Sequence, residues 1–116
     1  MKLIKEGNAN AIETAIVFLE ADPVFFRSGY LKEELIENLK KVEFTEKQKT
    51  GIQNILLRII DTKYCREFRR YCKLSRKVNT KDFLIELEKR AESANKDISR
   101  RAKWMLKFAK KIKRVN

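Results

Sequence analysis

The chain predicts an all-α protein, one domain over residues 1–116 built of five to six antiparallel helices, HEAT-like or an irregular helical bundle. Three observations lead there. Apolar residues recur at the 3.6-residue interval through most of the chain. Helix-breaking residues are sparse, with Pro23 and only three glycines, Gly7, Gly29 and Gly51. No stretch alternates with period two for long enough to make a strand.

The first helix follows Asn8 or Asn10, either of which can cap it, and sets Ile12, Ala15, Ile16 and Leu19 on one face before ending near Ala21. Asp22 then reads as a cap with Pro23 at the first position of a short helical turn, "PVFFR", that stops at Gly29. A second helix, from about Tyr30 to Val42, presents Leu31, Leu35, Ile36 and Leu39. The third has the clearest start, because Thr45 followed by Gln48 makes a capping box. Its inward residues are Ile52, Ile55, Leu56, Ile59 and Ile60. The fourth spans about Lys63 to Lys77. A fifth follows the cap Thr80, with Phe83, Leu84, Leu87 and Ala91 inward, and the sixth starts near Asn95 or Asp97 and runs almost to the C-terminus. All connections are short, which favours antiparallel neighbours, and no linker separates the helices.

Composition narrows the class. Hydrophobic residues make up 43% and charged residues 38%, which excludes a disordered tail. No apolar run of about 18 residues occurs, which excludes a transmembrane helix. The opening "MKLIKEGNAN" is interrupted by charge and is no secretory signal, so two cysteines imply a reducing compartment and a cytoplasmic address. The net charge of +12 is uneven: residues 1–60 balance nine Lys/Arg against nine Asp/Glu, whereas residues 61–116 hold nineteen against seven. Such asymmetry points to an anionic partner for the second half, although lysine-rich helices also serve plain solubility.

The fourth helix contains "YCREFRRYC", Tyr64 to Cys72. At 100° per residue, Arg66, Arg69, Arg70, Lys73, Arg76 and Lys77 fall within an arc of about 120°. Tyr64, Cys65, Phe68, Tyr71, Cys72 and Ser75 fall within a similar arc opposite. The two cysteines are about 10.5 Å apart along the helix, too far for a disulfide, and no histidine or third cysteine exists to complete a zinc site. They read as core residues. Six neighbouring cations, with only Glu67 close, repel one another by a few tenths of a kcal/mol per pair, a strain that an anionic partner would relieve.

The sixth helix repeats the division. Ile98, Ala102, Met105, Leu106, Phe108, Ala109 and Ile112 take one broad side, while Arg100, Lys103, Lys107, Lys110, Lys111 and Arg114 take an arc of about 100°. Part of this pattern is helix stabilisation, since Asp97 at the start and cations at the end both suit the dipole. Trp104 sits at the border, as core edge or as a stacking platform for a base. Tyr71 is a second stacking candidate. A basic amphipathic helix also suits an anionic membrane or a calmodulin-like groove, but an apolar side of about 200° fits burial against other helices better.

Chemistry is constrained by absence. Without histidine there is no Ser-His-Asp triad, Cys-His pair or Glu-x-x-His di-iron site, and the isolated glycines make no phosphate loop. Glu33, Glu34 and Glu37 crowd one helix and could hold a hard cation, although such groups more often form a solvated face. No metal site, catalytic residue or cofactor is expected. "DPVFFRSGY", Asp22 to Tyr30, gathers Phe25, Phe26, Arg27 and Tyr30 between helices, where it forms either an aromatic plug or a protein-binding surface.

From Thr80 to Arg114 the chain resembles a HEAT-type helical repeat, with "TKDFLIELEKRAES" as the first helix and "NKDISRRAKWMLKFAKK" as the second. The second carries Asp97, Ile98, Arg100 or Arg101, Ala102 and Leu106 at the family's spacing. The resemblance implies that Asp97 and Arg101 bond along the stack and that Ala102 lies at a close helix crossing. An earlier pair, Leu31–Val42 with Thr45–Asp61, reads as a second repeat, offset from the first by near 50 residues, longer than the family's usual period.

The expected function is non-catalytic binding to a polyanion, chiefly nucleic-acid backbone, through Arg66, Arg69, Arg70, Lys73, Arg76, Arg100, Lys103, Lys107 and Lys111, with Trp104 beside them. The alternative is a HEAT-like adaptor whose partner is an acidic protein surface or docks at Phe25 and Phe26. Neither reading involves a small-molecule substrate or membrane insertion.

Overall fold

In the computed structural model, residues 9–21, 28–62 and 68–110 are described, with the backbone alone for residues 9 and 28–32. They form α1 (Ala9–Ala21), α2 (Ser28–Leu39), α3 (Glu46–Thr62), α4 (Phe68–Leu74), a 3₁₀ turn (Ser75–Val78), α5 (Lys81–Ala91) and α6 (Lys96–Lys110). The all-α class holds: six α-helices and no strand occur among the described residues. None of these helices is long and apolar enough to cross a membrane.

Local capping sets three of the helix starts. The Thr45 N–H donates to Gln48 Oε1 at 3.0 Å and the Gln48 N–H donates to Thr45 Oγ1 at 3.1 Å, which is the reciprocal capping box. Gln48 Nε2 also reaches Glu13 Oε2 at 3.0 Å, so the same residue ties the start of α3 to α1. Thr80 Oγ1 accepts from the Phe83 N–H and opens α5. Asn95 Oδ1 accepts from the Asp97 and Ile98 N–H groups and opens α6, which decides between the two starts that its sequence allows.

The fourth helix differs from its expected span. Its α-helical part stops at Leu74 and tightens into the 3₁₀ turn. Ser75 Oγ bonds back to the Cys72 carbonyl, a local competitor of the helical ladder. Gln53 Nε2 from α3 then holds the Val78 carbonyl at 2.6 Å and Thr80 Oγ1 at 3.0 Å, and Asn79 Nδ2 holds the Ala109 carbonyl at 2.9 Å. The chain is therefore fastened to α3 and α6 where it passes from one helix to the next. Tyr64, Cys65 and Arg66, from the first half of the predicted helix, lie outside the described residues.

The periodic positions make one continuous core. Ile12, Ala15, Ile16 and Leu19 of α1, Leu35, Ile36 and Leu39 of α2, and all five predicted residues of α3 are buried. Phe68, Tyr71, Cys72 and Ser75 are buried as the α4 wheel predicts. On α5, Phe83 and Leu87 are buried while Leu84 and Ala91 pack against the core from its edge. α5 and α6 form the most extensive helix pair; α4 packs on α6 and α2, and α1 packs on α3. The earlier pair read as a repeat does not form such a hairpin, since α2 makes its main contact with α4 rather than with α3. The whole is a slab of 40 × 39 × 23 Å, about two helix diameters thick.

Three arginines reach backbone carbonyls of other helices. Arg58 Nη2 approaches the Leu19 carbonyl at 3.4 Å, Arg101 Nε the Ile60 carbonyl at 2.9 Å, and Arg76 Nε the Phe108 carbonyl at 3.1 Å. These bonds tie α3 to α1, α6 to α3 and the 3₁₀ turn to α6. Arg101 is buried, so its bond joins α6 to α3 in the interior. The bond that the repeat resemblance implies for Arg101 is made elsewhere: Asp97 accepts from Arg100 Nη2 at 2.9 Å. Ala102 is fully buried on the face of α6 that meets the core.

Candidate nucleic-acid interface

α6 presents a straight row of cations. Lys96, Arg100, Lys103, Lys107 and Lys110 follow one another at intervals of four, three, four and three residues, and all five are exposed. At 100° per residue they stay within an arc of about 80°, along about 21 Å of helix. The helix can present this ridge to solvent because its opposite side, with Arg101, Ala102, Met105 and Ala109, is fixed in the core. Asp97 holds Arg100, and Glu88 of α5 holds Lys110 at 3.2 Å. Lys96, Lys103 and Lys107 make no ion pair with a described residue.

The basic arc of α4 is largely taken up within the protein. Arg70 Nη1 donates to Glu37 Oε2 at 2.5 Å, and its Nε lies 3.8 Å from Glu33 Oε1. Arg76 donates to the α6 backbone while its guanidinium lies 5.6 Å from the centre of the Phe108 ring. Lys77 lies 3.8 Å from Glu43. Arg69 remains exposed and Lys73 half-buried. Arg70 and Arg76, grouped with the phosphate-facing residues by the helical wheel, are thus committed to α2 and α6. Arg66 and Lys111 lie outside the described residues, as do Phe25, Phe26 and Arg27 and the side chain of Tyr30.

Trp104 is half-buried, with its ring 5.3 Å from that of Phe68 at an interplanar angle of 56°. Tyr71 is buried. These positions fit core and core-edge packing, and leave the ridge without an exposed stacking platform among its described neighbours. Val17 and Ile85, on different helices, are the large apolar residues exposed among those described.

The acidic trio is drawn toward the protein's own arginine. Glu33, Glu34, Glu37 and Arg70 line a cleft of about 420 Å³, and no group of three or more acidic or cysteine residues among those described is arranged to hold a metal ion. Burial alone would raise the pKa of Glu37, but hydrogen bonds from Lys40 and Arg70, reinforced by their charges, outweigh it and lower the value. The unfolded chain therefore takes up this proton at higher pH than the folded one. The stabilisation is present above the ordinary glutamate value and is lost as pH falls through the lower folded value. Comparing unfolding free energies of the wild type and Glu37→Gln from pH 6 to 3 should show a gap that closes with acidification. The carboxylate is partly solvated, so the gap at pH 6 should be about 1 kcal/mol or less. A gap independent of pH would mean that the charge on Glu37 plays no part.

A second cleft, of about 330 Å³, opens at the amino-terminal end of the ridge, lined by Ser93, Lys96, Ser99, Arg100 and Lys103. Sequence reasoning missed Lys96, Ser93 and Ser99 as site residues. The signal for Lys96 was present, since it stands four residues before Arg100 and seven before Lys103. The serines come from the turn and the first helical turns, and only the fold brings them beside the cations.

No protein-family model matches the chain, and no match was found among curated proteins or solved structures.

Proposed function

We propose that the protein is a non-catalytic module that binds nucleic-acid backbone along the α6 ridge. The observation that carries this reading is the row of five exposed cations on one helix, three of them without a carboxylate partner among the described residues. Unrelieved repulsion along such a row favours a ligand that brings many negative charges at close spacing, and a phosphate backbone does so without regard to base sequence. Arg69 and Lys73 of α4 supply further positive charge. The reading places the protein in a reducing, cytoplasmic setting where Cys72 stays a thiol. A HEAT-like adaptor is the competing reading, and the extensive α5–α6 hairpin is the feature that favours it.

The test is a fluorescence-anisotropy titration of labelled single- and double-stranded DNA and RNA at several salt concentrations. Backbone binding predicts micromolar affinity, little dependence on sequence, and a log–log salt slope of about −3 or steeper, from four or more neutralised phosphates. Absence of binding to all four ligands at about 50 mM salt, where screening is weak, would overturn it.

A further inference from the structure

The cleft at the start of the ridge differs from the ridge itself in shape and in chemistry. Its floor is not a vacant helix terminus: Asn95 Oδ1 already accepts from the Asp97 and Ile98 N–H groups, and the Asn95 carbonyl accepts from the Ser99 N–H. The side chains therefore define its character. Lys96 and Lys103 are exposed and make no ion pair with a described residue, while Arg100 uses one nitrogen on Asp97 and keeps further N–H groups to offer. Ser93 Oγ accepts from the Asn95 N–H, which leaves its own proton to donate to a ligand. Ser99 Oγ donates to the Ala91 carbonyl at 2.6 Å, so it closes the wall instead of offering a donor.

Three cations against one carboxylate leave the cleft with an excess of about two positive charges. An internal phosphodiester carries one negative charge and would leave that excess half-neutralised. A phosphomonoester carries about −1.5 to −2 at neutral pH and has three acceptor oxygens for converging donors. A volume of about 330 Å³ lies at the lower end of ligand-pocket sizes, enough for a phosphate with the attached sugar. The cleft is also continuous with the ridge, because Arg100 and Lys103 belong to both.

We propose that this cleft seats the terminal phosphate of a nucleic-acid strand whose following phosphates lie along Lys103 and Lys107. The proposal rests on the backbone-binding reading above and adds recognition of a strand end to it. A short single strand labelled at its 3′ end would be titrated with a 5′-phosphate and with a 5′-hydroxyl. The mirror pair, labelled at the 5′ end, would carry a 3′-phosphate or a 3′-hydroxyl. The expected result is about tenfold tighter binding of the phosphorylated member of one pair, the equivalent of one or two charge-assisted hydrogen bonds. Lys96→Gln and Ser93→Ala, each checked for an intact helical spectrum, should bring that ratio toward one. Equal affinity for both members of both pairs would overturn the end-recognition proposal while leaving backbone binding in place. A ratio that survives both substitutions would overturn the assignment to this cleft. Failure of every strand to bind would overturn both readings together.

Discussion

Replacing Phe68 with alanine should destabilise the fold by about 3–5 kcal/mol, the usual cost of removing a buried aromatic ring. Phe68 of α4 is fully buried, and its ring lies against Trp104 of α6. Four of the seven described residues of α4 are buried. Its place in the fold therefore depends on the burial of Phe68, Tyr71, Cys72 and Leu74. Domains of this size are stable by about 5–15 kcal/mol, so the loss would be a large share of the total. Urea unfolding followed by the fluorescence of Trp104, the chain's one tryptophan, and by far-ultraviolet circular dichroism would measure it. A cost below about 1 kcal/mol would show that the ring is not part of the core. Because Trp104 reports from the α4–α6 contact itself, early loss of its signal would mark the separation of that helix pair.

The second large effect concerns binding. Lys103→Glu with Lys107→Glu reverses two adjacent ridge positions that are exposed and make no ion pair with a described residue. Stability should change by no more than about 0.5 kcal/mol, because neither side chain belongs to the core. If each lysine neutralises one phosphate, the log–log salt slope should flatten by about 1.4 to 1.8. Affinity near 50 mM salt should fall by at least about tenfold, since the new carboxylates also repel the backbone. The same anisotropy titration measures both quantities. An unchanged slope would mean that the backbone does not lie on this ridge, whatever the protein's overall charge.

Much of the helical layout was legible in the sequence because it rests on local rules. The Thr45–Gln48 and Thr80 caps and the inward faces of α1 and α3 follow from spacing along one helix, and the structure has them. The fate of the arginines was not legible in the same way. A helical wheel gives the direction of Arg70 and Arg76 about their own axis but not what stands across from them. Glu37 is thirty-three residues away from Arg70, and the Phe108 carbonyl thirty-two from Arg76. Arg101 shows the limit most clearly, since a guanidinium at the edge of an apolar face can be buried once a backbone carbonyl is placed to receive it. The premature end of α4 has a similar cause: the fastening of Val78 by Gln53 is a tertiary contact that no window around Ser75 contains.

The arginines that hold backbone carbonyls and the cations of the ridge are chemically distinct populations of positive charge. Arg58, Arg76 and Arg101 are guanidinium clasps that knit α3 to α1, α6 to the 3₁₀ turn, and α6 to α3. The outward row of α6 is almost wholly lysine, four amines with Arg100 among them. Acylation acts on primary amines and erases their charge but does not touch guanidinium. An amine-directed reagent would therefore strip charge from the ridge, as from the other exposed lysines, and leave the clasps intact. The lysine charge of the ridge is thus open to removal by covalent modification without unpicking the bonds that hold the helices together.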